Sequence, residues 1–387
     1  MYKIQTLNKI SKKGLGVLGN DKYEVSDECA KPDGIILRSF SMHDMELPES
    51  LKAVARAGAG VNNIPIDKCS EQCIVVFNTP GANANAVNEL VICALLLSSR
   101  KVVQGINWAK TLKDEGDQAG TLVEKGKSNF VGPEIEGKTL GVVGLGAIGV
   151  QVANAAHHLG MNVIGYDPYL SVDSAWNLTR FAEKATNLDD LLSKCDYITI
   201  HVPATPSTKG MFDSEAFGKM KKGARLLNFS RDTLVDTADV IEALNNGTVS
   251  FYITDFATAE LLNHDKVICM PHLGASTPES EENCAVMASK EIKDFLENGN
   301  ITNSVNFPNC DMGRKTGERI TVIHKNIRSM LHKITVLVSN RDVNIDHMTN
   351  KSKGDYAYTV LDLESKIDPA VKKEIEALDG VIKVRIL

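Results

Sequence analysis

Apolar positions along this chain change their spacing several times, and each change predicts a different element. Between residues 34 and 79 the short apolar runs GIILRS, LKAVARAG and CIVVFNT alternate with polar, helix-like stretches, the pattern of a parallel α/β layer. Residues 85–110 read as one long helix, because Val87, Val91, Ala94, Leu95 and Ser98 recur on a 3.6-residue face. A polar stretch rich in Gly and Lys follows, from 111 to 138.

Beyond it comes a series of strand–helix units: TLGVVG leading into a helix, then NVIGYD, DDLLSKC, DYITIHV, ARLLNF, ADVIEALNN, FYITDF and VICMPH. Runs that are apolar throughout indicate strands covered on both faces, hence a doubly wound parallel sheet. A further helix is expected over 279–298. Residues 307–317 hold Pro, Gly and Asn without periodicity and read as a linker. From 318 to 387 the pattern is strand–helix–strand–strand–helix–strand, a small ferredoxin-like α+β domain. Its second helix has Asp368 as N-cap and Pro369 at the first helical position.

Composition narrows the function classes. The 387 residues are 43% hydrophobic and 24% charged, which excludes wholesale disorder. Lysine and arginine number 43 against 49 acids, net −6, so a nucleic-acid or acidic-membrane partner is not expected. The longest apolar run, residues 90–97, falls far short of the ~20 residues that span a bilayer. The first residues, MYKIQTLNKISKKG, lack the apolar core of a secretory signal. The eight cysteines include no CxxC pair, and Cys69 and Cys73 have no second pair nearby to complete a zinc site. Reduced thiols, no metal and a cytoplasmic location are the expectation.

The chemistry begins at Gly144-x-Gly146-x-x-Gly149, directly after the apolar strand and opening a helix. In a dinucleotide site the first glycine makes the tight turn and the second admits the pyrophosphate. The third lets helix and strand pack, with the helix N-terminus aimed at the phosphates. The helix is expected to bury Ile148, Val152, Ala155 and Leu159. Asp167 ends the next strand, where it would accept from the ribose hydroxyls and repel a 2′-phosphate, favouring NAD over NADP. A purely structural glycine turn is the alternative.

Three more strands end in reactive side chains: NFSRDTLVD, TDFATAE and PHLGAST. Ligands of a doubly wound sheet lie beyond the carboxyl ends of its strands, so Arg231, Asp255, Glu260 and His272 could converge there. Arginine can pair with a carboxylate and polarise a developing carbonyl. Histidine can take a hydroxyl proton, and a glutamate can hold its second ring nitrogen. Taken singly, each also fits a hydrogen-bonded strand end or a surface charge.

The segments ARAGAGVNNIP, NTPGANANAVNEL, GKTLGVVGLGAIGVQVA, NFSR, DFATAE and ICMPHLGASTPE together resemble the D-isomer-specific 2-hydroxyacid dehydrogenases, more narrowly their phosphoglycerate branch. The resemblance implies two doubly wound, Rossmann-like lobes: a substrate lobe of residues 1–86 and 285–306, and an NAD domain of residues 87–284, closing on each other. It implies Arg231, Glu260 and His272 as the catalytic set and Ala147 and Ile148 at the pyrophosphate. It places Phe229, Ser230 and Asp255 around the nicotinamide. It places substrate contacts on Arg38, Ser39, Arg56, Gly60 and Asn83, and makes residues 318–387 an ACT-like domain in which His324, Asn326 and Asn344 match serine contacts. The implied activity is NAD-dependent oxidation of 3-phosphoglycerate to 3-phosphohydroxypyruvate by a homodimer or homotetramer. A dehydrogenase of an unphosphorylated acid (glycerate or hydroxypyruvate) is the alternative, and a non-enzymatic NAD sensor a further one. Two positions depart from the family pattern: Asp232 and Ser329 stand where glycine is usual.

Overall fold

In the computed structural model, which describes all 387 residues, the apolar runs become the strands of three sheets. The contacts divide the chain into two compact units, residues 1–83 with 278–387, and residues 84–277.

The first unit carries a five-stranded parallel sheet in the order Tyr23–Ser26, Tyr2–Leu7, Gly34–Leu37, Ala53–Arg56, Val75–Phe77. Its central strands are buried along their length because apolar groups cover both faces. One face is covered by the helix Pro278–Asn298, whose Ala285, Ala288, Ile292 and Phe295 point into the core. Gly34 lies beneath it, where a Cβ would come 2.7 Å from Ile292 Cδ1 and push that methyl aside. This apolar face runs the length of the helix, so the whole helix stays with the first unit.

The same unit holds the C-terminal sheet, antiparallel in the order Ile345–Lys353, Tyr356–Leu363, Glu318–Lys325, Val381–Ile386. Its helices Met330–Ser339 and Ala370–Glu376 cover one face. The other face shares a core with the first sheet: Ile323, Tyr358 and Val360 pack among Phe77, Phe295 and Phe307. Arg319 is fully enclosed at this junction. It pairs with Asp362 at 2.5 and 2.8 Å and donates to the carbonyls of Asn298 and Gly313 at 2.8 and 3.0 Å. The stretch 307–317, expected as a linker, is therefore partly core. Phe307 and Cys310 are buried, and Cys310 forms a bridge with Ile301, because a phenylalanine gains too much from burial to remain in water.

The second unit is a seven-stranded parallel sheet in the order Val267–Cys269, Val249–Thr254, Ala224–Asn228, Tyr197–Ile200, Thr139–Val143, Asn162–Tyr166, Glu183–Lys184. Strand order reverses between Thr139–Val143 and Tyr197–Ile200, the switch point at which such sheets bind ligands. Two local expectations are corrected here. The long helix is two, Ala84–Arg100 and Val102–Thr111, separated by Lys101 in the left-handed region at φ 46°. The first buries the anticipated face, whereas the second buries no residue and has no core to align with. In the helix Ala147–His158, Leu159 is exposed just past the end, and Val150, Ala153 and Ala156 fill the core beside Val152. The polar stretch 111–138 includes the helix Ala119–Gly126, again with no residue buried.

Candidate active site

The glycine motif is fixed by close approaches. Gly144 has φ +91°, and a Cβ on it would lie 2.6 Å from the carbonyl oxygen of His201. A Cβ on Gly149 would fall 1.9 Å from the Gly144 oxygen, so no other residue fits. At Gly146 the same construction meets nothing within 4 Å, leaving the backbone open to a ligand. The helix beginning at Ala147 has no side-chain cap and no acid in its first turn. Its free N–H groups and positive end suit a pyrophosphate. Asp167 accepts from the amides of Leu145 and Tyr169, both at 2.8 Å. Each carboxylate oxygen is thus anchored yet keeps a lone pair for a ribose hydroxyl. These residues fit NAD.

Beyond the intervening strand Tyr197–Ile200 three neighbouring strands end in register, with Asn228, Thr254 and Cys269 adjacent. The residues just past them, Arg231, Asp255 and His272, therefore emerge from strands ~4.8 Å apart. Asn228 braces the first of these exits, donating to the Arg231 carbonyl at 2.8 Å and accepting from Ser230 N at 3.1 Å. Ser230 Oγ donates to the Ile200 carbonyl at 2.8 Å, and Phe229 is buried in the sheet core. Asp255 is 5% exposed, and its Oδ1 is enclosed without a partner. Burial pushes its carboxyl above the ordinary range, opposed by His272, the Gly274 amide and Arg231. A buried acceptor lacking a donor at the strand ends of this sheet suits a carboxamide N–H.

His272 is exposed, with Phe256 edge-on to its ring at 5.2 Å. Glu260 sits in the first turn of Ala259–Leu262 and is exposed. Its own amide and the Thr258 hydroxyl hold its carboxyl below the usual range. No hydrogen bond joins it to His272, so the carboxylate electrostatically engaged with the imidazole in this structure is Asp255. The Asp232 side chain, at the first position of the turn Asp232–Leu234, accepts from Thr233 N at 2.8 Å, while Arg231 Nη1 reaches the Ser230 carbonyl at 2.6 Å.

His201 was not singled out from the sequence. It follows the strand Tyr197–Ile200 at the switch point, and its Nε2 bonds Thr199 Oγ1 at 2.9 Å. Burial lowers its pKa to about 3, so the ring is neutral. The signal was available: it ends a strand as His272 does.

In the first unit, Arg38 and Arg56 stand past and at the ends of paired strands, Leu37 lying opposite Arg56. Both are engaged by the protein itself. Arg38 forms an ion pair with Glu281. Arg56 donates to the carbonyls of Arg38 at 3.0 Å and Gly60 at 2.5 Å, closing the loop that contains Gly60. Ser39 N donates to Asn8 Oδ1 at 3.2 Å, and Asn83 is half-buried at the unit boundary.

In the C-terminal domain His324 is buried, bonded to the Lys325 carbonyl and Thr359 Oγ1, both at 2.8 Å. Asn326 is exposed nearby, its Nδ2 donating to the Gly354 carbonyl at 3.3 Å. The strand register puts His324 opposite Ala357 and Ile345 opposite Leu363. Asn344 therefore lies at the far end of the sheet, and one chain does not gather the three residues. Ser329 takes up the left-handed conformation, φ 63°, that a glycine would adopt freely.

Residues 93–274 match the D-isomer specific 2-hydroxyacid dehydrogenase NAD binding domain. A curated putative D-3-phosphoglycerate dehydrogenase of Schizosaccharomyces pombe is 31% identical over 376 residues, 89% of this chain and 76% of the relative. The chain belongs to the D-isomer specific 2-hydroxyacid dehydrogenase family. The D-3-phosphoglycerate dehydrogenase of Methanocaldococcus jannaschii is 35% identical over 300 residues, 75% of this chain and 55% of the relative. This chain thus spans little more than half the length of that and similar relatives. An NAD+-bound 3-phosphoglycerate dehydrogenase structure from Entamoeba histolytica superimposes with TM-score 0.60 at 27% identity, covering 79% of this chain and 98% of that one. NAD is accordingly the cofactor of the second unit.

Proposed function

We propose that this chain is an NAD-dependent dehydrogenase that oxidises 3-phosphoglycerate to 3-phosphohydroxypyruvate. The observation that carries the reading is the grouping of Arg231, Asp255 and His272 at the ends of three adjacent strands of the sheet that carries the glycine turn. Its relatives' names supply the substrate. Arg231 pairs with the substrate carboxylate and polarises the C2 oxygen. His272 takes the hydroxyl proton. NAD, held at the glycine turn and Asp167, would supply the hydride-accepting ring. Asp255 stabilises the imidazolium, and Glu260 is the partner for the second ring nitrogen once it leaves its own amide. Arg38 takes the phosphate in place of Glu281, with Ser39, Gly60 and Asn83 alongside, and Arg56 holds the loop that receives it.

The Arg38–Glu281 pair also favours a second reading. A cation already neutralised suits a substrate without a phosphate, such as glycerate. NADH-coupled turnover of 3-phosphohydroxypyruvate and hydroxypyruvate side by side separates the two: strong preference for the phosphorylated acid supports the first, and equal or reversed preference the second.

Assembly follows from surfaces. Helices Val102–Thr111 and Ala119–Gly126 bury none of their own residues and leave Val102, Ile106 and Val123 exposed. A second copy of the chain is the partner we assign to this arm. Serine is the proposed effector of the C-terminal domain, held by His324 and Asn326 of one copy and Asn344 of another; the same assay with serine tests it. The buried thiols of Cys69, Cys73, Cys195 and Cys310, all pushed up to about 11 or 12 by burial, fit a cytoplasmic protein. No helix is long and apolar enough to cross a membrane.

A further inference from the structure

The loop that follows the strand Gly34–Leu37 carries Arg38, Ser39 and Phe40, then Ser41 and Met42. A loop leaving a strand end ordinarily keeps its backbone groups in water and is mobile for that reason. This one is clamped from both sides. Its strand lies between Tyr2–Leu7 and Ala53–Arg56 in the sheet, and a polar side chain reaches the loop from beyond each neighbour. On one side Asn8, directly after Leu7, accepts with a single Oδ1 from two consecutive amides, Ser39 N at 3.2 Å and Phe40 N at 2.7 Å. On the other side Asn63 Nδ2 donates to the carbonyls of Arg38 at 3.1 Å and Phe40 at 2.7 Å. The Asn63 carbonyl accepts from Met42 N at 2.8 Å, and Arg56 Nε adds a second bond to the Arg38 carbonyl at 3.0 Å. Ser39, Phe40 and Ser41 are left exposed.

The backbone of Asn8 singles it out. Its φ is 78°, in the left-handed region where a Cβ is crowded. Glycine adopts that conformation freely, and asparagine tolerates it better than most residues with a side chain. What asparagine adds over glycine at this position is the Oδ1 that gathers two amides. Asn8 is exposed, so apolar packing does not account for its side chain.

We propose that Asn8 is a positioning residue for the substrate: it holds loop 38–40 in the shape that receives the acid, with Asn63 as its counterpart on the opposite side. The proposal rests on the dehydrogenase reading, which places Arg38 and Ser39 at the substrate. A loop set before the ligand arrives costs little ordering at binding. Loss of the clamp therefore falls on KM rather than on the proton and hydride steps.

The test uses the full chain and whichever of 3-phosphohydroxypyruvate and hydroxypyruvate it reduces better with NADH. Asn8→Gly removes the acceptor and frees the backbone. It should raise KM for that acid about tenfold, the worth of one or two hydrogen bonds. Turnover number and KM for NADH should stay within about twofold, and the thermal midpoint should not fall, since glycine relieves the left-handed backbone. Asn8→Asp keeps the acceptor and should hold KM within about threefold. An unchanged KM in Asn8→Gly overturns the proposal, as does an equal rise in Asn8→Asp. A joint fall of kcat and midpoint makes the residue a structural one and overturns it too. Amide hydrogen exchange reads the clamp in the unaltered protein: Ser39 and Phe40 should exchange more slowly than Ser41, and equal rates remove the clamp. If the unaltered chain reduces neither acid, the dehydrogenase reading falls and takes the proposal with it; an active chain whose KM ignores Asn8→Gly sinks the proposal alone.

Discussion

Both units of this protein deliver charged side chains at the ends of parallel strands, yet they treat them differently. In the second unit Asp255 keeps an enclosed oxygen without a partner, and Arg231 and His272 stay exposed. In the first unit Arg38 is held by Glu281, and Arg56 is spent on two loop carbonyls. Parallel strand ends make a place for a ligand; whether that place is open depends on what else the chain supplies nearby. One set of groups awaits a ligand, while the other satisfies itself internally and must exchange a partner to bind one.

The largest test of that contrast is Gly149→Ala, whose Cβ would collide with the Gly144 carbonyl. NAD binding, read by quenching of intrinsic fluorescence, should fall beyond measurement; retained binding would mean the turn relaxes and the helix end is not the phosphate site. His272→Ala comes next. It should lower kcat about 10²–10⁴-fold while leaving NAD affinity within about twofold. Loss of NAD binding together with turnover would move the histidine from the proton to the cofactor. In the first unit Glu281→Gln frees Arg38, and KM for the phosphorylated acid should drop about two- to fivefold, as fits a half-exposed ion pair. KM for hydroxypyruvate should stay put. A rise in KM for the phosphorylated acid would make Glu281 a substrate ligand rather than a competitor.

The units should also answer pH in opposite directions. His201 in the second unit has its pKa depressed by burial to about 3 from an ordinary 6.5. Between those values the unfolded chain binds the extra proton, so this group's contribution to stability is lost as pH falls from 6.5 towards 3. Glu291 in the first unit is buried, accepts one bond from Asn303, and is pushed up to about 8. There the folded chain holds the proton, and stability is lost as pH rises from the ordinary carboxylate range through 8. Urea unfolding across pH should show His201→Gln flattening the acid limb and Glu291→Gln the alkaline one; unchanged limbs would mean these groups are hydrated. The smallest effect is at Ser329, held at φ 63°. Ser329→Gly should stabilise by about 0.5–1 kcal/mol in thermal unfolding, and a loss of stability would mean the serine side chain compensates for its backbone.

The sequence by itself determined the elements that rest on local periodicity and on steric necessity. The seven-stranded sheet follows from continuous apolar runs, and the glycine turn from spacing that no side chain tolerates. The ferredoxin-like domain follows from its alternating strands and from the cap at Asp368, whose Oδ1 accepts from Ala370 N at 2.9 Å. Asp167 and the trio Arg231, Asp255 and His272 were readable for the same reason, since each directly ends a predicted strand. What periodicity does not carry is which partner a polar group finds across the fold. Tertiary structure decided that Glu281, 243 residues from Arg38 along the chain, neutralises it. It turned Glu260 to its own amide and left Asp255 beside the imidazole. It separated Asn344 from His324 by the length of a strand, and drew Phe307 and Cys310 into a core where a linker was expected. Backbone hydrogen bonding and apolar spacing act over a few residues and are written locally. The pairing of buried charges is settled only when desolvation brings distant groups together, because each then takes whatever partner the packed chain leaves within reach.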